Sequence, residues 1–259
     1  LDLGDVALHY ADTGPRDAPA LVFANSLGTD FRLWDEVLPH LPAGLRVIRY
    51  DKRGHGLSSC PPAPYSMGAL VHDAERLLEA LGVRDCVFVG LSIGGMIAQG
   101  LAAKRLDLVR AVVLSNTAPK IGTRAMWDER IAMVEAQGLS AMSDAIMERW
   151  FSRAFRDSPA VIPWRRMVEV TPAAGYAGCS AAIAGTDFYT PTSGLRLPTL
   201  GIAGSDDGST PPDLVRETVD LIQGSKFHLI RQAGHLPCID QPEAFAQALG
   251  DFLKESGHV

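Results

Sequence analysis

Long hydrophobic runs and closely spaced cysteines are both missing from this sequence of 259 residues. No apolar run approaches the ~20 residues that a membrane span requires, and the chain does not open with a basic segment followed by an apolar one, as a secretory signal would. None of the cysteines forms a CxxC pair, so zinc and redox chemistry have little support and reduced thiols are expected. These cysteines are Cys60, Cys86, Cys179 and Cys238. The absences predict a soluble, cytoplasmic protein without a metal site.

An excess of positive charge is also lacking. The chain has 24 Lys and Arg against 30 Asp and Glu, for a net charge of -6, which argues against generic binding to nucleic acid or to anionic membranes. An anionic substrate would therefore need a local positive patch. A hydrophobic content of 47% and a charged content of 21% are typical of a globular protein. The length suits one α/β domain that carries an insertion.

Short apolar runs alternate with helical patterns along most of the chain. The runs that predict strands are residues 6–11 (at the edge of a sheet), 20–24, 45–50, 85–91, 109–114, 197–203 and 226–231. Helices are predicted at residues 65–81, 92–104, after 211–212 and at 241–255. This alternation is typical of a doubly wound parallel sheet.

The alternation stops between about residues 120 and 189, where helical segments occur without a convincing strand and three of the four tryptophans lie. We therefore expect an α/β fold with a mostly parallel central sheet, helices on both faces and an inserted helical cap. Residues 1–118 and 191–259 would form the core domain, and residues 119–190 the cap.

Residues 90–95 read GLSIGG and fit the pattern GxSxG of a nucleophile elbow. The pattern follows a predicted strand and opens a helix, which makes Ser92 the candidate nucleophile. The turn must be strained, and side chains at Gly90 or Gly94 would meet neighbouring backbone. A glycine-rich turn with an incidental serine is the alternative. A phosphate loop is disfavoured because no Gly-Lys-Ser/Thr follows.

A serine hydroxyl needs a base to remove its proton, and a histidine is the usual choice. His235 lies in the loop between the last strand and the last helix, from which an imidazole can reach Ser92. His228 falls within a predicted strand, where a partly buried structural role is expected, and His258 is expected in a frayed terminus.

The acid of a catalytic triad should follow the strand at residues 197–203, because the order on such a sheet is serine, acid, histidine. Asp206 and Asp207 both lie there, and either could instead be a turn-forming aspartate at the surface. The other position for an acid, after the preceding strand, holds Asn116, which has no charge.

Acyl transfer also needs donors for the developing oxyanion. The Ile93 N–H, next to the nucleophile, is one candidate. The loop at residues 25–28 (NSLG) supplies the second, the Leu27 N–H, and Ser26 is a candidate to hydrogen-bond the substrate. A tight turn that requires small polar residues explains the same loop equally well.

Ser92, Asp207, His235 and the segment DKRGHGLS at residues 51–58 resemble the α/β-hydrolases along nearly the whole chain outside the insertion. The resemblance implies the α/β-hydrolase fold and no cofactor. It also favours Asp207 over Asp206, because Asp207 takes the acid's place in the family pattern GxxDxxxP. The RGHG turn is structural in this family, so His55 is given no role.

A narrower resemblance is to the 3-oxoadipate enol-lactonases, which act in the β-ketoadipate branch of bacterial aromatic degradation. It rests on residues 25–30, Trp127 with Arg130, residues 149–151, and Gly175-Tyr176 through Cys179 and Ala182-Ile183 to Asp187. The resemblance implies a small anionic lactone as substrate and no nucleic-acid or membrane partner. A homo-oligomer stays open.

In such an enzyme Arg130 would bind the substrate carboxylate, and Trp127 and Trp150 would form apolar walls. A helical arginine that faces water and tryptophans that fill a core are the alternatives. A carboxylesterase or a cofactor-free perhydrolase would share the triad and the fold. From another class, a ligand-binding or receptor protein on a hydrolase scaffold would also keep these residues.

Overall fold

A seven-stranded sheet forms the centre of the molecule in the computed structural model, which describes residues 1–259. The strands are β1 (Tyr10–Thr13), β2 (Ala20–Ala24), β3 (Arg46–Tyr50), β4 (Cys86–Leu91), β5 (Val109–Ser115), β6 (Thr199–Gly204) and β7 (Lys226–Ile230). Their order is β1-β3-β2-β4-β5-β6-β7, and only the β1–β3 pair is antiparallel. The expected mostly parallel α/β sheet is confirmed.

Eleven α-helices surround or extend this sheet. They are α1 (Met67–Ala80), α2 (Ile93–Lys104), α3 (Arg124–Gln137), α4 (Ser143–Trp150), α5 (Arg153–Arg156), α6 (Ile162–Val170), α7 (Ala173–Ala184), α8 (Tyr189–Ser193), α9 (Pro212–Asp220), α10 (Pro237–Asp240) and α11 (Pro242–Glu255). Short 3-10 turns occur at Phe31–Trp34, Leu38–His40, Ser140–Met142 and Pro159–Val161. No helix has the length and apolarity to span a membrane.

The central strands are covered on both faces. Every residue of β2, β4 and β6 is buried, and successive side chains of a strand point to opposite faces. Layers must therefore pack on each side, as in α/β proteins generally. Helix α2 packs on β2, β4 and β5, and α9 packs on β6, so the carboxyl ends of β4 and β6 are held rigidly where ligands bind in such sheets.

Between β5 and β6 the chain forms only helices, α3 to α8. Helix α7 packs against α3, and α8 packs against α2, the helix that covers the central strands. The buried apolar side chains of this segment belong to the same continuous core as those of the sheet. The proposed division at residue 190 falls inside α8, so a boundary there would cut a helix; the division into a core domain and a cap stays a prediction.

The first strand differs from its predicted position at residues 6–11. Val6 and Leu8 are buried as the alternation requires, but among residues 6–9 only Ala7 forms a bridge, with Asp2. The ladder with β3 begins at Tyr10, which lies opposite Tyr50. The alternation therefore predicted correctly which side chains are buried. The start of the β1–β3 ladder, in contrast, is set by the end of β3.

Two histidine predictions were wrong. His228 is exposed because β7 is an edge strand whose residues mostly face solvent. His258, expected in a frayed terminus, is buried, and its Nε2 lies 3.0 Å from the Ala20 carbonyl oxygen. The C-terminal end is held in place by this contact and by a hydrogen bond from the His258 N–H to the Leu253 carbonyl.

Candidate active site

Ser92 stands at the junction between β4 and α2 with φ 59° and ψ -119°, a strained backbone conformation for a residue with a side chain. A Cβ atom added at Gly90 would lie 2.2 Å from the Gly94 carbonyl oxygen, and one at Gly94 would lie 2.1 Å from the Ala24 carbonyl oxygen. The requirement for glycine at both positions is confirmed. The Thr117 hydroxyl donates to the Ser92 carbonyl at 2.7 Å and helps to hold the turn.

Asp207 follows β6 and is surrounded by hydrogen-bond donors. Its Oδ1 accepts from the N–H groups of Ser209 and Thr210 at 2.7 and 3.1 Å. Its Oδ2 lies 2.9 Å from His235 Nδ1 and 2.8 Å from both Asn116 Nδ2 and Thr210 Oγ1. A buried carboxylate with this many donors is fixed in position and kept ionised.

The pKa of Asp207 agrees with this arrangement of hydrogen-bond donors. Burial acts to raise the pKa of Asp207, but the charge and hydrogen bond of His235, with further bonds from Asn116 and the Ser209 N–H, hold it below its ordinary value. Because Asp207 binds Nδ1 of His235, the lone pair of the imidazole lies on Nε2. The Asp206 carboxylate is exposed and hydrogen-bonds only to its neighbour Ser205, so the geometry favours Asp207 as the partner of His235.

Ser92 and His235 both line one cavity, and both are almost fully buried. Their side chains form no hydrogen bond to each other in this structure. Such bonds are often long in ligand-free enzymes and shorten when substrate binds. The structure therefore brings the nucleophile candidate and the base candidate to the same cavity, with Asp207 orienting the base.

The two candidate oxyanion donors belong to the loop after β2 and to the start of α2. Leu27 lines the same cavity, and its N–H has no acceptor within the protein. Ile93 is the first residue of α2, a position whose N–H has no intrahelical partner. The loop that carries Leu27 is fixed by Asn25, which donates to the Tyr50 carbonyl at 2.8 Å and accepts from Trp34 Nε1 at 2.7 Å.

The cavity is small, about 90 Å³. The structure brings the remaining candidates, Ser26, Trp127, Arg130 and Trp150, to its wall. Trp127 Nε1 donates to the Ile121 carbonyl at 2.6 Å, which fixes the ring. The Arg130 guanidinium lies 5.1 Å from the centre of that ring, a distance typical of a cation–π contact.

A second arginine, Arg149, to which no role was assigned from the sequence, also lines the cavity. Neither Arg130 nor Arg149 has a carboxylate partner within salt-bridge distance. Both arginines share the cavity wall with Tyr176; burial raises the pKa of its phenol, and the charges of the two arginines act to lower it. The signal available in the sequence for Arg149 was its place in residues 149–151, a segment that carries part of the resemblance to the enol-lactonases. No group of three or more His, Cys, Asp or Glu side chains could hold a metal ion.

Comparison with known proteins agrees with the predicted family. The model of the alpha/beta hydrolase family matches residues 21–248. The chain is 35% identical to 3-oxoadipate enol-lactonase 2 of Acinetobacter baylyi over 96% of this chain and 94% of that protein, and 36% identical to its 3-oxoadipate enol-lactonase 1 over 93% and 91%.

A solved structure of the enol-lactonase from Burkholderia xenovorans superposes with a TM-score of 0.93 at 34% identity, and the match covers 97% of this chain and 98% of that one. Sequence and fold thus agree with those of the relatives along almost the full length of the chain. The chain belongs to the alpha/beta hydrolase family.

Proposed function

We propose that this hydrolase opens the ring of 3-oxoadipate enol-lactone, or of a closely similar small anionic lactone, through an acyl-serine intermediate. The observation that carries the proposal is the composition of the cavity wall. Ser92 and His235 lie in it together with two arginines that have no carboxylate partner. Relatives named as 3-oxoadipate enol-lactonases support the same substrate.

In the acylation step the Ser92 oxygen attacks the lactone carbonyl carbon while His235 Nε2 accepts the hydroxyl proton. The carbonyl oxygen becomes an oxyanion, and the N–H groups of Leu27 and Ile93 donate to it. Collapse of the tetrahedral intermediate breaks the bond to the ring oxygen. That oxygen leaves as an enolate, takes up a proton and tautomerises to the ketone, so the step depends less on acid catalysis than cleavage of an amide does.

In the deacylation step His235 removes a proton from water, which attacks the acyl-serine and releases the new carboxylate. Asp207 keeps its charge throughout and stabilises the imidazolium that forms twice in each cycle. No group beyond these side chains and two backbone N–H groups is required for the reaction.

The two arginines of the cavity wall explain how a protein of net charge -6 would hold an anion. Arg130 is half-buried and Arg149 exposed, and both line the cavity, where a guanidinium can bind a carboxylate with two parallel hydrogen bonds. Trp127 and Trp150 bound the apolar part of the ligand. A cavity of about 90 Å³ suits a ligand smaller than the drug-sized molecules that occupy typical sites.

The test is steady-state kinetics on 3-oxoadipate enol-lactone and on p-nitrophenyl acetate, with wild type and Arg130→Met. We expect a large preference for the lactone in kcat/KM. The substitution should raise KM for the lactone about tenfold or more, the value of a charge-assisted hydrogen bond, and leave the neutral ester unchanged.

Each other outcome favours a different function. A preference for neutral esters would indicate a carboxylesterase, and peracid formation from acetate and hydrogen peroxide would indicate a perhydrolase. Binding of the lactone without turnover would indicate a receptor on a hydrolase scaffold.

A further inference from the structure

Lys52 is a buried cation without an anionic partner. It is only 3% exposed, and its Nζ donates to two carbonyl oxygens, that of Ser26 at 2.6 Å and that of Thr29 at 3.3 Å. No carboxylate lies within salt-bridge distance of it. A buried charge is costly unless its surroundings use it, so a lysine whose only bonds go to one loop needs an explanation.

The same loop is held from its other side by His55. The Gly28 N–H donates to His55 Nε2 at 3.0 Å, and His55 Nδ1 lies 3.3 Å from the Arg53 carbonyl oxygen. Burial, aided by the charge of Lys52, holds the pKa of His55 well below its ordinary value. The ring is therefore neutral, with its proton on Nδ1 and its lone pair on Nε2, as acceptance from Gly28 requires.

These two contacts fix the peptide groups on both sides of Leu27. The Ser26 carbonyl and the Leu27 N–H belong to one peptide group, which is planar and trans, so they point in opposite directions. A donor bound to the carbonyl oxygen sets where the N–H points. The Leu27 carbonyl and the Gly28 N–H form the next peptide group, and His55 sets its orientation.

We infer that Lys52 is a positioning residue for the oxyanion hole, with His55 as its counterpart on the adjacent peptide group. The ammonium holds the Ser26–Leu27 peptide group with its N–H facing the Ser92 side of the cavity. Its charge also polarises that group, which strengthens the N–H as a donor, because hydrogen bonds in a chain reinforce one another. The inference rests on the proposed serine chemistry but not on the identity of the lactone.

The charge of Lys52 depends on pH. Burial lowers its pKa to about 8, and the neighbouring Cys179 thiol with the Asp51 and Asp30 carboxylates only partly opposes this effect; a fourth ionisable neighbour, His55, is uncharged. Loss of the proton above pH 8 would leave a weaker, neutral donor on the Ser26 carbonyl. Turnover should then decline as the pH rises from about 8 to 10.

The experiment compares Lys52→Met and Lys52→Arg with wild type on p-nitrophenyl acetate, whose neutrality removes any effect of the arginines in the cavity. Active serine is counted by titration with a fluorophosphonate, so that kcat is expressed per functional site. Lys226→Met, which replaces an exposed lysine paired with Glu255, is the matched control for loss of one positive charge and should behave as wild type.

For Lys52→Met we expect kcat per titrated site to fall about 10- to 100-fold with KM changed less than about threefold, since the affected donor acts on the transition state. Lys52→Arg keeps its charge at every accessible pH. It should retain most of the activity and lose the decline between pH 8 and 10.

An unchanged kcat per titrated site in Lys52→Met would overturn the inference, because a merely structural role lowers the number of active sites and not their turnover. If that variant does not fold, Lys52→Arg decides: a decline above pH 8 that persists unchanged assigns the titration to another group and rejects Lys52. Failure of the fluorophosphonate to label wild type would instead reject the serine chemistry itself.

Discussion

The carboxyl edge of the sheet and the helical segment between β5 and β6 hold their polar groups in opposite ways. At the sheet edge, Asp207 accepts hydrogen bonds from four residues, and Ser92 is held in a strained turn. In the helical segment, Arg130 and Arg149 reach the same cavity without a carboxylate partner. The fold surrounds the Asp207 carboxylate with donors and leaves positive charge available where a ligand would bind.

The two regions also differ in how much of their helices is buried. The helix that carries Arg130, α3, buries only Trp127 and Val134 along its length, whereas nearly all of α2 behind Ser92 is buried. Changes at the sheet edge should therefore alter turnover for every substrate. Changes in the helical segment should alter which substrates bind.

The largest effect is expected for Ser92→Ala. Without the nucleophile kcat should fall about 10⁶-fold on lactone and neutral ester alike, because both reactions use the same hydroxyl. Lactone binding, measured by calorimetry, should persist. Turnover above about 1% of wild type would show that another group attacks the carbonyl.

Asp207→Asn should lower kcat about 10⁴-fold, since an amide can stabilise neither the correct tautomer of His235 nor its cation. Asp206→Asn is a matched control one residue away: its carboxylate is exposed and bonds only to Ser205, so kcat should stay within about twofold. Equal losses in the two variants would reject Asp207 as the orienting acid.

Sequence patterns were sufficient for the sheet edge because local rules fix it. GxSxG between a strand and a helix demands one backbone shape, and the clashes at Gly90 and Gly94 explain why. The choice of Asp207 over Asp206 needed the family pattern, since adjacent turn aspartates differ only in which one the fold buries. Asn116, dismissed as uncharged, proved to donate to Asp207, a contact between residues 91 positions apart that no local pattern contains.

Arg149 lies in the helical segment, where sequence patterns were least informative. An arginine on a helix usually faces water, and Arg149 is indeed exposed; only the tertiary packing of α4 makes it part of the cavity wall as well. Lys52 was overlooked for a related reason. It lies in the segment at residues 51–58 that carries the α/β-hydrolase resemblance, but no sequence pattern shows that its ammonium is buried against the loop at residues 26–29.

A smaller effect, confined to one substrate class, is expected for Arg149→Met. Loss of this cation should raise KM for the anionic lactone about 10- to 100-fold, as for a charge-assisted hydrogen bond, and leave KM for p-nitrophenyl acetate within about threefold. Arg153→Met, at an exposed arginine of α5, is the control and should change neither constant. A matching loss on the neutral ester would show that Arg149 supports the fold rather than the ligand.

The smallest effect is expected for Asn116→Gly, which removes one donor to Asp207 at a position with φ 46° that glycine tolerates. The donors from Ser209 and Thr210 remain, so kcat should fall only about three- to tenfold. Gln232→Gly, also at positive φ but exposed, controls for the flexibility that glycine adds.

Urea unfolding supplies a second measurement of the same variant. Relative to Gln232→Gly, the free energy of unfolding should be lower by about 1–3 kcal/mol at pH 7, the value of a hydrogen bond to a charged group. The pKa of Asp207 is lowered in the folded state, so its ionised form stabilises the fold above the unfolded pKa and that stability is lost as the pH falls through the folded pKa. The difference between the two variants should therefore shrink in acid, and a difference that stays constant down to pH 2 would mean that Asn116 does not act through the charge of Asp207.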